Sequence, residues 1–165
     1  MTFGPSGDSL KDGRGKFLIY VRVLVAATAI FALDALTKML AVNSLTQVQS
    51  VSVIPNIFHF TLVLNDGVAF GLLKDKADIF IPVSLGAMAF IILYIRRSVF
   101  INAATTLALG LILGGAAGNL IDRIRFGYVI DFLDFRIWPV FNIADSAISI
   151  GAGILILSLI LNRSK

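Results

Sequence analysis

Asp131 and Asp145 are the residues of this chain best suited to chemistry. Two carboxylates held close cannot both ionise easily, so one keeps a proton and the pair titrates as a unit. In that state the ionised partner takes a proton from water. The neutral partner donates to a carbonyl under attack, which is aspartic-protease chemistry. Polar residues crowd around them. Asn119, Asp122 and Arg123 follow one another at i, i+3 and i+4, and Asn142 stands three residues before Asp145. The competing chemistries lack residues. There is no cysteine and no glutamate, and His59 is the only histidine. A disulfide scaffold, a thiolate nucleophile and a His- or Cys-rich metal site are therefore excluded, and no metal or cofactor is expected. Ser146 has no evident histidine or lysine to activate it.

The elements that must position these groups are set by composition. The chain has 165 residues, 58% of them hydrophobic, and a mean hydropathy of +0.92. Its apolar runs are those of membrane helices. The net charge of +4 is confined to a few places. No basic stripe is interleaved with aromatics, so nucleic acid is not an expected partner. Residues 1–16 are polar and glycine-rich and read as a flexible tail. Lys11, Arg14 and Lys16 before an apolar run also fit a signal peptide. Against that, the helical pattern from Phe17 continues through Asp34 and Lys38 to Ala41 without a cleavage box. Spans are expected at about 17–41, 79–95, 98–121 and 142–161, with 162–165 as a short tail. Between the first two spans the β-branched and aromatic segment TQVQSVSVIPNIFHFTLVLN suits short strands, giving an outer-face β segment at about 43–71. The turn Asn65-Asp66-Gly67 follows it, with a glycine-containing continuation through Gly71.

Charge sets the topology. The N-terminal tail, Arg96-Arg97 and the C-terminus are basic, and four spans place them on one side, the cytoplasm. The segments 43–78 and 122–145 then share the outer side. Were one helix to join Asp131 to Asp145, the two would stand about 21 Å apart. Gly127 and Pro139 argue against one helix. The 123–141 segment is expected to loop at the surface and return Asp131 to Asp145 at the start of the fourth span. Gly110, Gly114 and Gly118 recur every four residues, a ridge for close helix packing.

Each of these residues also has a plainer role. Asp34 and Lys38 at i, i+4 form either a local ion pair or a brace for a polar site. His59 is expected to be a packed or interfacial side chain. Asp134 and Arg136 read as solvated loop residues. Aspartate is also a common helix cap. On the residues alone, three readings stand: an intramembrane hydrolase, a polar pathway for an ion or small solute, and a structural membrane protein. A transporter is disfavoured because no inverted repeat is visible.

Several blocks, in order, resemble one family. They are Asp34-x-x-Thr37-Lys38, Asn65-x-Gly67-x-Ala69-Phe70, Gly114-Gly115-Ala116-x-Gly118-Asn119-x-x-Asp122-Arg123, Val129-Ile130-Asp131-Phe132 and Phe141-Asn142-Ile143-Ala144-Asp145-Ser146-Ala147. Together they resemble bacterial lipoprotein signal peptidase (signal peptidase II), over nearly everything from Phe17 to Leu161. The resemblance implies an all-α polytopic membrane protein of four transmembrane helices with a small extracytoplasmic β-cradle. It implies a membrane aspartic endopeptidase that cuts prolipoproteins just before a cysteine already carrying diacylglycerol. The catalytic pair by motif position is Asp131 and Asp145. Asp34, Lys38, Asn65, Gly67, Asn119, Asp122, Arg123 and Asn142 support the site or hold substrate. Implied partners are diacylglyceryl-modified prolipoproteins, membrane lipid and globomycin-type inhibitors. The chain is expected to act as a monomer in the bacterial inner membrane, with both termini cytoplasmic and the site near the outer face. The link from Asp131 to Phe141 departs from that family in being short.

Overall fold

The computed structural model describes residues 7–67, 77–98 and 101–162. The continuation of the Asn65 turn from Val68 to Gly71, and Lys74 to Lys76 beyond it, lie outside the described residues. So do residues 1–6 of the expected tail and the C-terminal residues 163–165. The chain order is α1 (Gly7–Leu45), β1 (Ser50–Ile54), β2 (Phe58–Asn65), α2 (Ala77–Arg97), α3 (Ala103–Phe126), β3 (Val129–Asp134) and α4 (Ile143–Asn162).

α3 lies at the centre, packed against α1, α2 and α4. Small residues make this possible. A Cβ on Gly110 would meet the Ala26 Cβ at 2.6 Å, and one on Gly114 would run into the Ala27 backbone. On the other side, a Cβ on Gly115 would come within 2.5 Å of the Ala144 carbonyl oxygen of α4. The glycine ridge is therefore a packing device, as its spacing suggests. α3 begins later than the uncharged run does, because Asn102 caps it. Its Oδ1 accepts from Thr105 N at 2.8 Å. The helix ends where Gly127 takes the left-handed conformation, φ +79°, and its N–H closes on the Arg123 carbonyl at 3.0 Å.

α1 departs from the expected tail, being helical from Gly7 rather than from Phe17. Once an apolar span is helical, each added residue costs only propagation and not nucleation. The sheet is antiparallel in the order β1-β2-β3. β1 and β2 fall within the expected β segment. β3 was expected to be surface loop. It pairs instead with β2, Val63 opposite Asp131 and Asn65 opposite Val129, so these four share one face of the sheet. Leu64 opposite Ile130 faces the other way.

The helices are apolar outside and enclose both an apolar core around Val23, Ile91, Ile95 and Leu109 and a buried polar cluster. Phe17, Leu24, Val83 and Phe90 are 60–69% exposed, while Asp34 and Lys38 are 1% and 3% exposed. A water-soluble surface rarely carries so much contiguous apolar area. Gly15–Leu45, Ile79–Arg97 and Ala103–Phe126 are long and apolar enough to cross a membrane, and α4 carries a shorter apolar stretch, Ile143–Ser158. The protein is thus mostly helical, with three membrane-span candidates and one small sheet.

Candidate active site

The site is built where the C-terminal parts of α1 and α3 and the start of α4 meet β3. The start of α4 is a reciprocal cap. Asn142 Oδ1 accepts from Asp145 N at 2.8 Å, and Asp145 Oδ2 accepts from Asn142 N at 3.4 Å. A third group joins from α1: Asp34 Oδ1 accepts from Ala144 N at 2.9 Å. Two of the first amides of α4, left without helical partners by geometry, are thereby satisfied.

The Asn142 amide then reaches across to β3. Its Nδ2 donates to Asp131 Oδ1 at 2.7 Å and to Asn119 Oδ1 at 3.1 Å. The other Asp131 oxygen, Oδ2, accepts from Asn65 Nδ2 at 2.8 Å. Asn65 is held in that orientation because its Oδ1 accepts from Gly67 N at 3.1 Å, a local turn bond. Asn119 in turn donates from Nδ2 to Asp145 Oδ1 at 2.8 Å. Each of the two aspartates therefore has an asparagine of its own, and Asn142 touches both.

Lys38 anchors the inner side of this network. Its ammonium has three donors and finds three acceptors: Asp34 at 2.7 Å, Asp122 at 2.7 Å and Asn119 Oδ1 at 2.9 Å. Asp34 serves both as ion-pair partner and as brace, so the two readings of its spacing describe one residue. Gly118 leaves room for it, since a Cβ there would lie 2.5 Å from Asp34 Oδ2. Among the described residues, no buried side-chain nitrogen or oxygen lacks a hydrogen-bond partner. A buried charged network of this kind persists only when every member is paired.

Asp131 and Asp145 line one cavity of about 230 Å³ with Asn65, Asn119, Arg123 and Trp138. Asp131 is 1% exposed. Burial pushes its carboxyl up to about 7, aided by the nearby Asp145 charge and opposed by the Asn65 and Asn142 hydrogen bonds. At neutral pH it therefore exchanges a proton readily, as an acid–base group must. A second groove of about 490 Å³ also reaches Asp145, along Ser146, Ser149 and Ile150 of α4.

The expected shared face of Asn119, Asp122 and Arg123 divides in the structure. Asp122 turns inward to Lys38, whereas Arg123 lies in the cavity with its guanidinium 5.0 Å from the Phe80 ring centroid. Asp134 corrects its expected role. It ends β3, is 4% exposed, and accepts from Thr61 Oγ1 at 2.8 Å and from Arg136 Nη1 at 3.1 Å. The β2–β3 pairing buries it, and a strand was not expected there. Arg136 is exposed, as expected. His59 sits on the sheet, 3.5 Å from Ser50 Oγ. Sequence reasoning missed Phe80, Thr61 and the Ile130 backbone, whose N–H donates to Asp122 at 3.4 Å and whose carbonyl accepts from Asn142 at 3.3 Å.

Apolar helices close over a satisfied polar cluster, and two carboxylates face one cavity, an arrangement consistent with a membrane enzyme. The signal peptidase (SPase) II family profile matches residues 26–161. On that match the chain belongs to the signal peptidase II family, and it is a peptidase. A protein of Halothermothrix orenii named lipoprotein signal peptidase is 45% identical over 86% of this chain and 94% of its own length. One of Moorella thermoacetica with the same name is 46% identical over 84% and 92%. A solved bacterial membrane enzyme superposes with a TM-score of 0.79 at 30% identity, over 86% of this chain and 89% of that one.

Proposed function

We propose that the chain removes signal peptides from prolipoproteins, cutting before a diacylglyceryl-modified cysteine, with Asp131 and Asp145 as the catalytic dyad. The carrying observation is that Asn142 bridges these two aspartates at the wall of one cavity. Family membership supplies the substrate class.

In this reading the dyad shares one proton, written on Asp131 because it is the more deeply buried of the two, with Asp145 as the ionised partner. Water between them gives a proton to Asp145 while its oxygen attacks the scissile carbonyl carbon. Asp131 donates its proton to the carbonyl oxygen, which leaves a neutral tetrahedral diol. The dyad then returns one proton to the departing amine as the C–N bond breaks, and the second aspartate takes a proton from the diol. Asn65, Asn119 and Asn142 hold the carboxylates in register. Arg123 offers a cation to the substrate backbone, and Asp34, Lys38 and Asp122 fix the end of α1 to α3 and α4. The mechanism uses no metal or cofactor.

The proposed setting is four spans with both termini cytoplasmic. α4, 20 residues long, extends about 30 Å, the thickness of the hydrocarbon core. The sheet and the dyad then lie at the outer face of the inner membrane, where water reaches them and the acyl chains of the substrate remain in lipid. The same cavity is the proposed seat of globomycin-type inhibitors, and the unit of function is a monomer. The test is cleavage of a diacylglyceryl-modified peptide in detergent, with products read by mass. The expected product begins at the lipidated cysteine, and the unmodified peptide is a poor substrate. Intact peptide, with ion or solute flux in reconstituted vesicles, would overturn the reading in favour of a polar pathway.

A further inference from the structure

A larger cavity lies on the far side of the Lys38 network. It holds about 780 Å³ and runs between α1 and α3 beneath the sheet, within the usual range for small-molecule sites. α1 and α3 touch closely at Gly110 and Gly114, and the groove opens beyond Gly118. Its walls are layered. Phe31, Ala35, Met39 and Ile121 line its inner part, while Asn43, Gln49, Arg125 and Tyr128 surround its outer end. The sheet separates it from the dyad: Leu62, Leu64 and Ile130 face this groove, whereas Asn65 and Asp131 face the catalytic cavity.

The charges at the two ends of the groove differ in kind. Lys38, Asp34 and Asp122 at its floor are paired with one another. Arg125 at its mouth is exposed, and its guanidinium lies 5.0 Å from the neutral Phe126 ring. Among the described residues no carboxylate forms an ion pair with it. An apolar cleft open to the side, rimmed by amide and phenol groups and ending in an unpaired guanidinium, matches a molecule with acyl chains and a phosphate head.

We propose that the α1–α3 groove binds a phospholipid of the outer leaflet, with its acyl chain along Ala35 and Met39 and its phosphate on Arg125. The proposal rests on the membrane topology given above. The site is separate from the one that takes substrate, and a lipid there fills the back of the wall on which Lys38 and Asp122 stand.

The test is native mass spectrometry of the full chain released from detergent. The probes are dioleoylphosphatidylglycerol, dioleoylglycerol with the same chains, and inorganic phosphate. The phospholipid should be retained more strongly than dioleoylglycerol. Arg125→Gln should lower phospholipid retention about three- to fivefold, the scale of one exposed ionic contact, and leave dioleoylglycerol unchanged. Ala35→Trp, at an exposed position in the cleft, should lower both. Equal phospholipid retention by Arg125→Gln and the parent chain would overturn the proposal. So would indifference to Ala35→Trp, or loss of the Arg125 effect in millimolar phosphate, which would mark a free-anion site. The readout is binding, so it stands or falls separately from cleavage.

Discussion

The two ends of the helix bundle hold polar residues in different ways. At the end away from the sheet, α3 and α4 are joined by neutral groups: Thr105 Oγ1 lies 3.2 Å from Ser158 Oγ, and Asn102 Nδ2 donates to the same oxygen at 3.4 Å. At the end that carries the sheet, α1, α3 and α4 are joined by one lysine and several aspartates and asparagines, nearly all buried. Neutral contacts suffice to hold helices together. A charged network is far costlier to bury, and it stands at the end of the bundle that carries the proposed dyad. The contrast teaches that polarity inside a membrane protein must be weighed by charge and by completeness of pairing, not by count.

Substitutions at the two ends should separate these roles. Lys38→Met should have the largest effect, because it leaves Asp34 and Asp122 buried without a cation. A loss of about 3–5 kcal/mol is expected, read as a fall in thermal midpoint in detergent, with cleavage lost as well. Asn142→Ala should act chiefly on rate. It frees Asp131 Oδ1 from its donor and uncaps α4, so kcat should fall about 100-fold, the cost of a misplaced catalytic group, with a smaller change in KM. A comparable rise in KM with unchanged kcat would instead assign Asn142 to substrate binding.

The pH dependence of stability sharpens the comparison. Asp131 binds its proton up to about pH 7 when folded and only to about 3.8 otherwise. The folded state thus holds the extra proton between those values, and stability should fall as pH rises through that window, by at most about 1.4 kcal/mol per unit. Asp131→Asn should flatten the slope. An unchanged slope would show that Asp131 is not the group held high. The smallest effect is expected at the end away from the sheet, where Ser158→Ala should cost about 0.5 kcal/mol and leave turnover near that of the parent chain.

Much of this arrangement is legible in the chain. The uncharged runs mark the helices, Asn142-x-x-Asp145 has the spacing of a reciprocal cap, and the glycine ridge marks the face of α3 that meets α1. Other features depend on partners distant in sequence. Val129–Asp134 is short and almost wholly buried, so it lacks the in–out alternation that identifies a half-exposed strand. Its pairing with β2 is what buries Asp134. Residues at i+3 and i+4 straddle a helix face, and spacing alone could not send Asp122 to Lys38 and Arg123 to the cavity. The spacing of Asp34 and Lys38 announced an ion pair. Their role in binding Ala144 N and Asn119 required the fold.

The central claim is that Asp131 and Asp145 act as one catalytic unit. Its most direct test is single-turnover cleavage of the diacylglyceryl-modified peptide by Asp131→Asn, by Asp145→Asn and by the double variant, each shown by its thermal transition to be folded. The account predicts that each single change abolishes turnover and that the double change adds nothing further, as for groups that act together. Substantial cleavage by either single variant, or losses that multiply in the double variant, would contradict it.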